Sequence, residues 1–326
     1  MNRLASAMVL RYAGLILIFF ISGCGSPVPL KVGTTVMIDS LPLSLARHKP
    51  IFAENELTVE TVYFDSSRRM REAFVDGRVQ AIMTDLAGAL LINDGKERGK
   101  IVRVSLKPSP SRPMFAMMTP SHQPVATRGR LENGRIAVFR EAMDRYVADR
   151  LLRAAGIRKW IEIEVNSPDS GLELMQKGEV AAALLQEPLI SIALRKGAHI
   201  ALDDRNLMLG QTVIVFSQRM VDEKPAFIRR FLRAYEQSVR ELNVRPQLYR
   251  SLVVELVRAP LEVSASMPVP IFPFPGEVPT ESDIESAGHW LSGKNIISQP
   301  IPYTRLVNAG FLWDPFQFRP AACCGW

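Results

Sequence analysis

From Leu30 onward, short apolar runs bounded by turn residues alternate with stretches of helical period. "LKVGTTV" (30–36), "LTVETVYF" (57–64) and "RVQAIMT" (78–84) read as strands. Between them, "LPLSLARHKPIF" reads as one short helix entered at Pro42, and "SSRRMREAFVDG" as a helix ending near Gly77. The same rhythm returns with "GRIAVF", "IEIEV" and "EVAAALL" as strands. The intervening helices are "DRYVADRLLRAAG", with Asp144 near its start and Gly156 past its end, and "PDSGLELMQKG". Apolar strands separated by helices call for a mostly parallel sheet with helices on its faces, an α/β architecture.

Corresponding strands in the two series begin near Val32 and Ile136, Val59 and Glu162, and Val79 and Val180, an offset of about one hundred residues. The closing segments "FVDGRVQAIMTD" and "LMQKGEVAAALLQE" share one order: helix end, Gly, strand, carboxylate. Two such units imply two lobes. The proline-rich "KPSPSRPMFAMMTPSHQP", with its strand-like "MFAMM", and the later strand "QTVIVFS" suit crossings between them. A long amphipathic helix follows, with Phe227, Phe231, Tyr235, Val239 and Leu242 on one stripe. The expected organisation is a discontinuous lobe 1 (30–112 and 212–326) with lobe 2 (113–211) inserted.

The N-terminus breaks the pattern. A basic start and an apolar run from Ala13 to Ile21 suit a signal peptide spanning 1–23. The run is short for a bilayer span, and Arg11 would interrupt a longer one beginning at Ala5. Ile21-Ser22-Gly23-Cys24 is similar to a bacterial lipobox, which would make Cys24 a lipidated N-terminus followed by a tether over 24–29. Acyl chains contribute about 0.8 kcal/mol per buried methylene. The expected location is therefore extracytoplasmic, held to a bacterial membrane by the lipid.

The two remaining cysteines, Cys323 and Cys324, are neighbours in the tail, where a bond between them would be strained. Composition is that of a globular chain, 47% hydrophobic and 22% charged, with a formal net charge of +7. Its basic residues are scattered among acids, without the clustering that nucleic-acid binding requires.

No sequence-local motif supports catalysis. His48, His122, His199 and His289 are isolated, so no metal site is expected, and Walker, dinucleotide and nucleophile-elbow signatures are absent. The remaining polar candidates cluster at strand-to-helix switches, the places where open α/β sheets bind ligands. These are Asp39 and Ser40; Asp65, Ser66 and Ser67; Thr84 and Asp85; Arg140 and Glu141; and Gln186 and Glu187. Ser66 and Ser67 suit helix N-caps, and Asp85 suits either a cap or a ligand contact. Arg140 and Glu141 can pair with each other. Glu187 is a poor cap type, and Pro188 opens a helix without needing the acid before it.

The stretches "DSLPLSLARHKPIFAENELTVETVYFDSS", "AFVDGRVQAIMTD", "VADRLLRAAGI", "GEVAAALLQEPLISIALRKGA" and "FIRRFLRAYEQSVRELN", in that order, carry a resemblance. The chain resembles ABC-transporter solute-binding proteins of the group that takes pyrimidine thiamine precursors, sulfonates, taurine and nitrate. The resemblance implies a two-lobed, type II periplasmic-binding-protein-like fold with a ligand cleft between the lobes. It also implies delivery to a membrane permease and its ATPase, no cofactor, no catalysis, and a monomer.

The family's aromatic platform after the first strand is replaced here by Met37, Ile38 and Asp39, whereas the acid of its "QEP" region is matched by Glu187. Phe64 and Phe139 could stack on a ligand instead. Candidate ligand-binding residues are Asp39, Phe64, Asp65, Thr84, Asp85, Arg140, Glu141 and Glu187. Their acidic balance points to a neutral or amino-bearing ligand such as a pyrimidine-like heterocycle. A sensory lipoprotein and an enzyme of vitamin or quinone-precursor synthesis are the alternatives on a related fold.

Overall fold

A computed structural model describes residues 29–122, 128–258, 260, 263, 267 and 269–312. The expected signal peptide, Cys24, Cys323 and Cys324 lie outside the described residues. Among the described residues ten strands run in chain order: β1 (Leu30–Thr35), β2 (Val59–Phe64), β3 (Ala81–Asp85), β4 (Gly99–Leu106) and β5 (Ala116–Thr119). Then come β6 (Arg135–Phe139), β7 (Ile161–Val165), β8 (Ala182–Leu185), β9 (His199–Asp203) and β10 (Thr212–Ser217).

They form two five-stranded sheets, in the orders β2-β1-β3-β10-β4 and β7-β6-β8-β5-β9. In each sheet the first three strands are parallel, while β10 or β5 runs antiparallel to both of its neighbours. Those two antiparallel strands are the ones the chain makes directly after passing from one sheet to the other. Each lobe is thus closed by a strand arriving from its partner, and helices cover both sheets.

Strand interiors are apolar on both faces because helices bury both. Val32, Ile82, Val215 and Ile214 in lobe 1, and Ile136 and Ala183 in lobe 2, are inaccessible to solvent. The amphipathic helix is Pro225–Val244, with Phe231, Tyr235, Val239 and Leu242 buried on the face toward the helices at 41–54. The segment read as one helix from Leu41 is two, Leu41–His48 and Ile51–Glu54. Pro50 cannot supply the amide the first helix would need, so the chain turns there.

The lobes share a packed boundary. Helix Ala142–Ala154 of lobe 2 puts Met143, Tyr146, Val147 and Leu151 into the same apolar core as lobe 1. The Tyr146 ring meets Trp290 edge-on at 5.6 Å, and its hydroxyl bonds Ser286 at 2.8 Å. Asp204, fully buried, ties both crossings together. It accepts from Met114 N at 2.9 Å and Phe115 N at 3.1 Å on one crossing, and from Gly210 N at 3.2 Å on the other. A side chain at Gly210 would sit 2.6 Å from this carboxylate, which accounts for the glycine.

Candidate functional site

The carboxyl ends of β1 and β3 in one lobe, and of β6 and β8 in the other, open onto a common cavity of about 420 Å³. That volume lies within the range of small-molecule sites, about 300–1,000 Å³. Thr35, Met37, Asp39, Met83, Thr84 and Asp85 line it from lobe 1. Phe139, Glu141, Asp144, Asp169, Gln186 and Glu187 line it from lobe 2. The crossings add Met114, Phe115, Gly210 and Thr212.

Asp39 sits in the single helical turn Ile38–Ser40 that follows β1. The turn is pinned from behind: Ser40 Oγ donates to Met37 O at 2.8 Å, and Ser105 Oγ donates to Asp39 O at 3.0 Å. Ser105 in turn meets the buried Tyr235 hydroxyl at 2.7 Å. The Asp39 side chain is 5% exposed, and its Oδ1 has no hydrogen-bond partner in the protein. Burial pushes its pKa up to about 6 against the opposing effect of a hydrogen bond with Thr212.

Asp85 ends β3 and caps helix Leu86–Asn93, accepting from Gly88 N at 2.6 Å. The sequence left cap and ligand contact open for Asp85; the geometry gives it the cap while keeping it on the cavity wall. Its carboxyl is raised by burial, opposed by Arg71 and reinforced by Glu141. Thr84, 4% exposed, has an unpartnered Oγ1. A Cβ at Gly88 would lie 2.1 Å from that oxygen, so only glycine admits this approach of helix to strand.

Asp144 lies near a helix start, as expected: it is in the first turn of helix Ala142–Ala154, buried on the cavity wall. Gln186 Nε2 donates to it at 3.4 Å. Burial, then the proximity of Asp85, holds its carboxyl well above the usual range. Glu141 does not pair with Arg140. Its Oε2 accepts from Arg71 Nη1 of the opposite lobe at 3.4 Å. Glu187 Oε2 accepts from Ser191 N at 3.1 Å, so the carboxylate reaches the first turn of helix Leu189–Arg195. It therefore serves the fold as well as the wall, and Pro188 sits one residue before that helix rather than inside it.

Three candidates fall elsewhere. Phe64 is half-buried with its ring against Gly33, a packing role. Asp65 forms an exposed pair with Arg69 at 2.7 Å. Arg140 points outward, donating to Asn166 at 3.1 Å. None of the three lines the cavity, whereas Asp39, Thr84, Asp85, Glu141 and Glu187 all do. Sequence reasoning missed Asp144, Arg71 and a set of apolar wall residues that includes Met37, Met70, Met83 and Met114. Among the described residues no group of His, Cys, Asp and Glu side chains is arranged to hold a metal ion.

A model of the NMT1-like family matches residues 25–256. No curated protein sequence matches. Among solved structures, the periplasmic aliphatic sulphonate binding protein SsuA from Escherichia coli superposes with a TM-score of 0.71 at 18% identity, covering 89% of this chain and 93% of that one. The alkanesulfonate-binding protein SsuA from Xanthomonas axonopodis pv. citri, bound to MOPS, gives 0.66 at 17% identity over 89% and 99%. The ligand-binding component of an ABC-type import system from Staphylococcus aureus, with zinc bound, gives 0.67 at 14% identity over 86% and 97%. At these identities the likeness concerns the fold.

Proposed function

Because the chain belongs to the NMT1-like family and has the two-lobed fold of periplasmic binding proteins, we propose that it is the substrate-binding component of an ABC importer. In this reading it captures a small solute between its lobes, heterocyclic and pyrimidine-like in class, and delivers it to a membrane permease driven by an ATPase. The observation that carries the reading is the cavity whose wall is divided between the ends of four strands, two from each sheet.

A ligand touching both halves of such a wall favours the state in which they are together, because only that state makes both sets of contacts. Asp39, Thr84 and Asp85 on lobe 1, with Glu141 and Glu187 on lobe 2, are the residues assigned to it. The chain acts outside the cytoplasm, held to the membrane through a lipid on Cys24. A purely sensory role would use the same site without a permease.

Native mass spectrometry of protein purified from its host, followed by calorimetry with the compound released, tests the reading. A stoichiometric small molecule whose rebinding compacts the protein in small-angle scattering is the expected result. Chemical turnover of that compound by the protein alone would overturn it in favour of an enzyme.

A further inference from the structure

We propose that the solute carries a cationic nitrogen, an ammonium or amidinium, on an apolar or aromatic body, with the nitrogen seated against Asp39, Asp85 and Asp144. This deepens the proposed function and rests on it.

Charge comes first. Among the described residues six carboxylates line the cavity, those of Asp39, Asp85, Glu141, Asp144, Asp169 and Glu187, against the single guanidinium of Arg258. Two further arginines stand behind the wall. Arg71 pairs with Glu141 and acts on Asp85, and Arg112 faces Glu187. Even with all three arginines counted, acids outnumber bases two to one. A sulfonate or phosphate would meet this excess of carboxylates at contact distance, where like charges repel strongly in a site shielded from water.

The second observation is independent of charge count. Asp39 and Thr84 both line the cavity, with side chains 5% and 4% exposed, and neither Asp39 Oδ1 nor Thr84 Oγ1 has a partner in the protein. A buried oxygen without a partner destabilises the protein, a charged one more than a neutral one. A nitrogen with several N–H donors satisfies both kinds of oxygen at once, whereas an aprotic or anionic group accepts from the hydroxyl but leaves the carboxylate oxygen without a donor. In the ligand-free protein the carboxyls reduce their desolvation cost by taking up protons: burial raises Asp39 to about 6 and holds Asp144 well above the ordinary carboxylate range. A cation supplies the missing positive charge instead, so its binding expels protons around pH 6.

The rest of the wall sets the body of the ligand. Met37, Met70, Met83 and Met114, with Phe115 and Phe139, form its apolar part. Thioethers adapt to flat or irregular apolar groups, and the face of a phenyl ring attracts a cation.

The probes are benzamidine, its neutral partner benzamide, and the anion benzenesulfonate, titrated calorimetrically into the full chain at pH 7.5 and pH 5. Benzamidine should bind at least about ten-fold more tightly than benzamide at pH 7.5 and weaken by a similar factor at pH 5. Proton release should be visible as a buffer-dependent heat near pH 6. Asp85→Asn keeps a capping oxygen for Gly88 and removes the charge, so it should lose most of the benzamidine preference without unfolding. Asp144→Asn is the second variant, read by the same ratio.

A cation bound no better than benzamide, or benzenesulfonate bound best, overturns the proposal. So does a host compound, recovered as above, that has no basic nitrogen. That last result leaves the solute-binding reading standing, whereas turnover of the compound strikes that reading alone.

Discussion

Arg71 and Glu141 join the two lobes beside the cavity, Nη1 to Oε2 at 3.4 Å, with side chains only 17% and 20% exposed. The pair does two jobs. It crosses the interlobe boundary, and its guanidinium counters the burial that drives Asp85 toward the neutral form. Replacing Arg71 with Met removes both effects. The ligand-free protein should then adopt a larger radius of gyration by small-angle scattering. Asp85 should titrate at higher pH by carboxyl-selective NMR, while global stability falls by only about 1 kcal/mol, as partly exposed pairs contribute little.

Asp39 contributes to the pH dependence of the ligand-free protein, alongside Asp85, Asp144 and Asp204, whose carboxyls burial also raises. Its folded pKa, about 6, exceeds the unfolded value near 3.8, so between these values the folded state holds a proton that the unfolded state has lost. Stability therefore falls as pH rises from about 4 to 6 and stays lower above that window, by on the order of 2–3 kcal/mol for this residue. Calorimetric melting across pH 4–8 should show that fall. In Asp39→Asn the fall should shrink, and the Tm at pH 7.5 should rise by several degrees.

Asp204 should be costly to remove. Three backbone N–H groups on two chain crossings depend on one carboxylate. Asp204→Ala leaves all three buried and unpaired, at about 1–3 kcal/mol each before relaxation. Denaturant unfolding should place this variant at least about 3 kcal/mol below the parent, with Asp204→Asn between them.

Arg103 and Glu236 form an ion pair inside lobe 1, 2.7 Å apart and 0% and 4% exposed, with the guanidinium 4.8 Å from the Tyr235 ring centroid. Breaking a buried pair leaves an uncompensated charge, so Glu236→Ala should lose about 3–5 kcal/mol. Gly276 lies over this pair, and a Cβ there would stand 2.3 Å from Glu236 Oε1. Gly276→Ala should therefore cost about 1–3 kcal/mol through overpacking alone. Both are read from denaturant midpoints.

Glu187→Gln should weaken the host ligand by at least about 1 kcal/mol if that ligand presents an amino group to it. Gln keeps an oxygen for Ser191 N, so the variant should melt near the parent temperature. Unchanged affinity in this folded variant would remove Glu187 from the site.

The α/β pattern was legible because each early strand is an apolar run ended by a turn residue. β4 and β9 were passed over. Both are sheet-edge strands, and β4 carries the charged Arg103 in its middle. The strand-end rule found Asp39, Thr84, Asp85, Glu141 and Glu187, but it has no means of grading strands. Phe64 and Asp65 follow β2, at the sheet edge and away from the crevice. At the end of β6, successive side chains diverge: Arg140 turns to Asn166 and Glu141 to Arg71. That second contact joins residues 70 positions apart, which no local pattern encodes. Asp144 does lie near its helix start, but its place on the wall was not legible, because an acid there looks alike whether it caps the turn or faces inward from it.

The strand that each lobe receives from its partner has a consequence for how the chain assembles as it grows from its N-terminus. The lobe 2 sheet uses strands between Ala116 and Asp203, so all of its members exist once residue 203 is available. The lobe 1 sheet begins first, at Leu30, yet must wait for Thr212–Ser217 to fill the place between β3 and β4. Until then β3 and β4 present unpaired edges to whatever is nearby. The half that starts first is thus finished last, and the stretch of chain between β4 and the strand that completes its sheet is the inserted lobe.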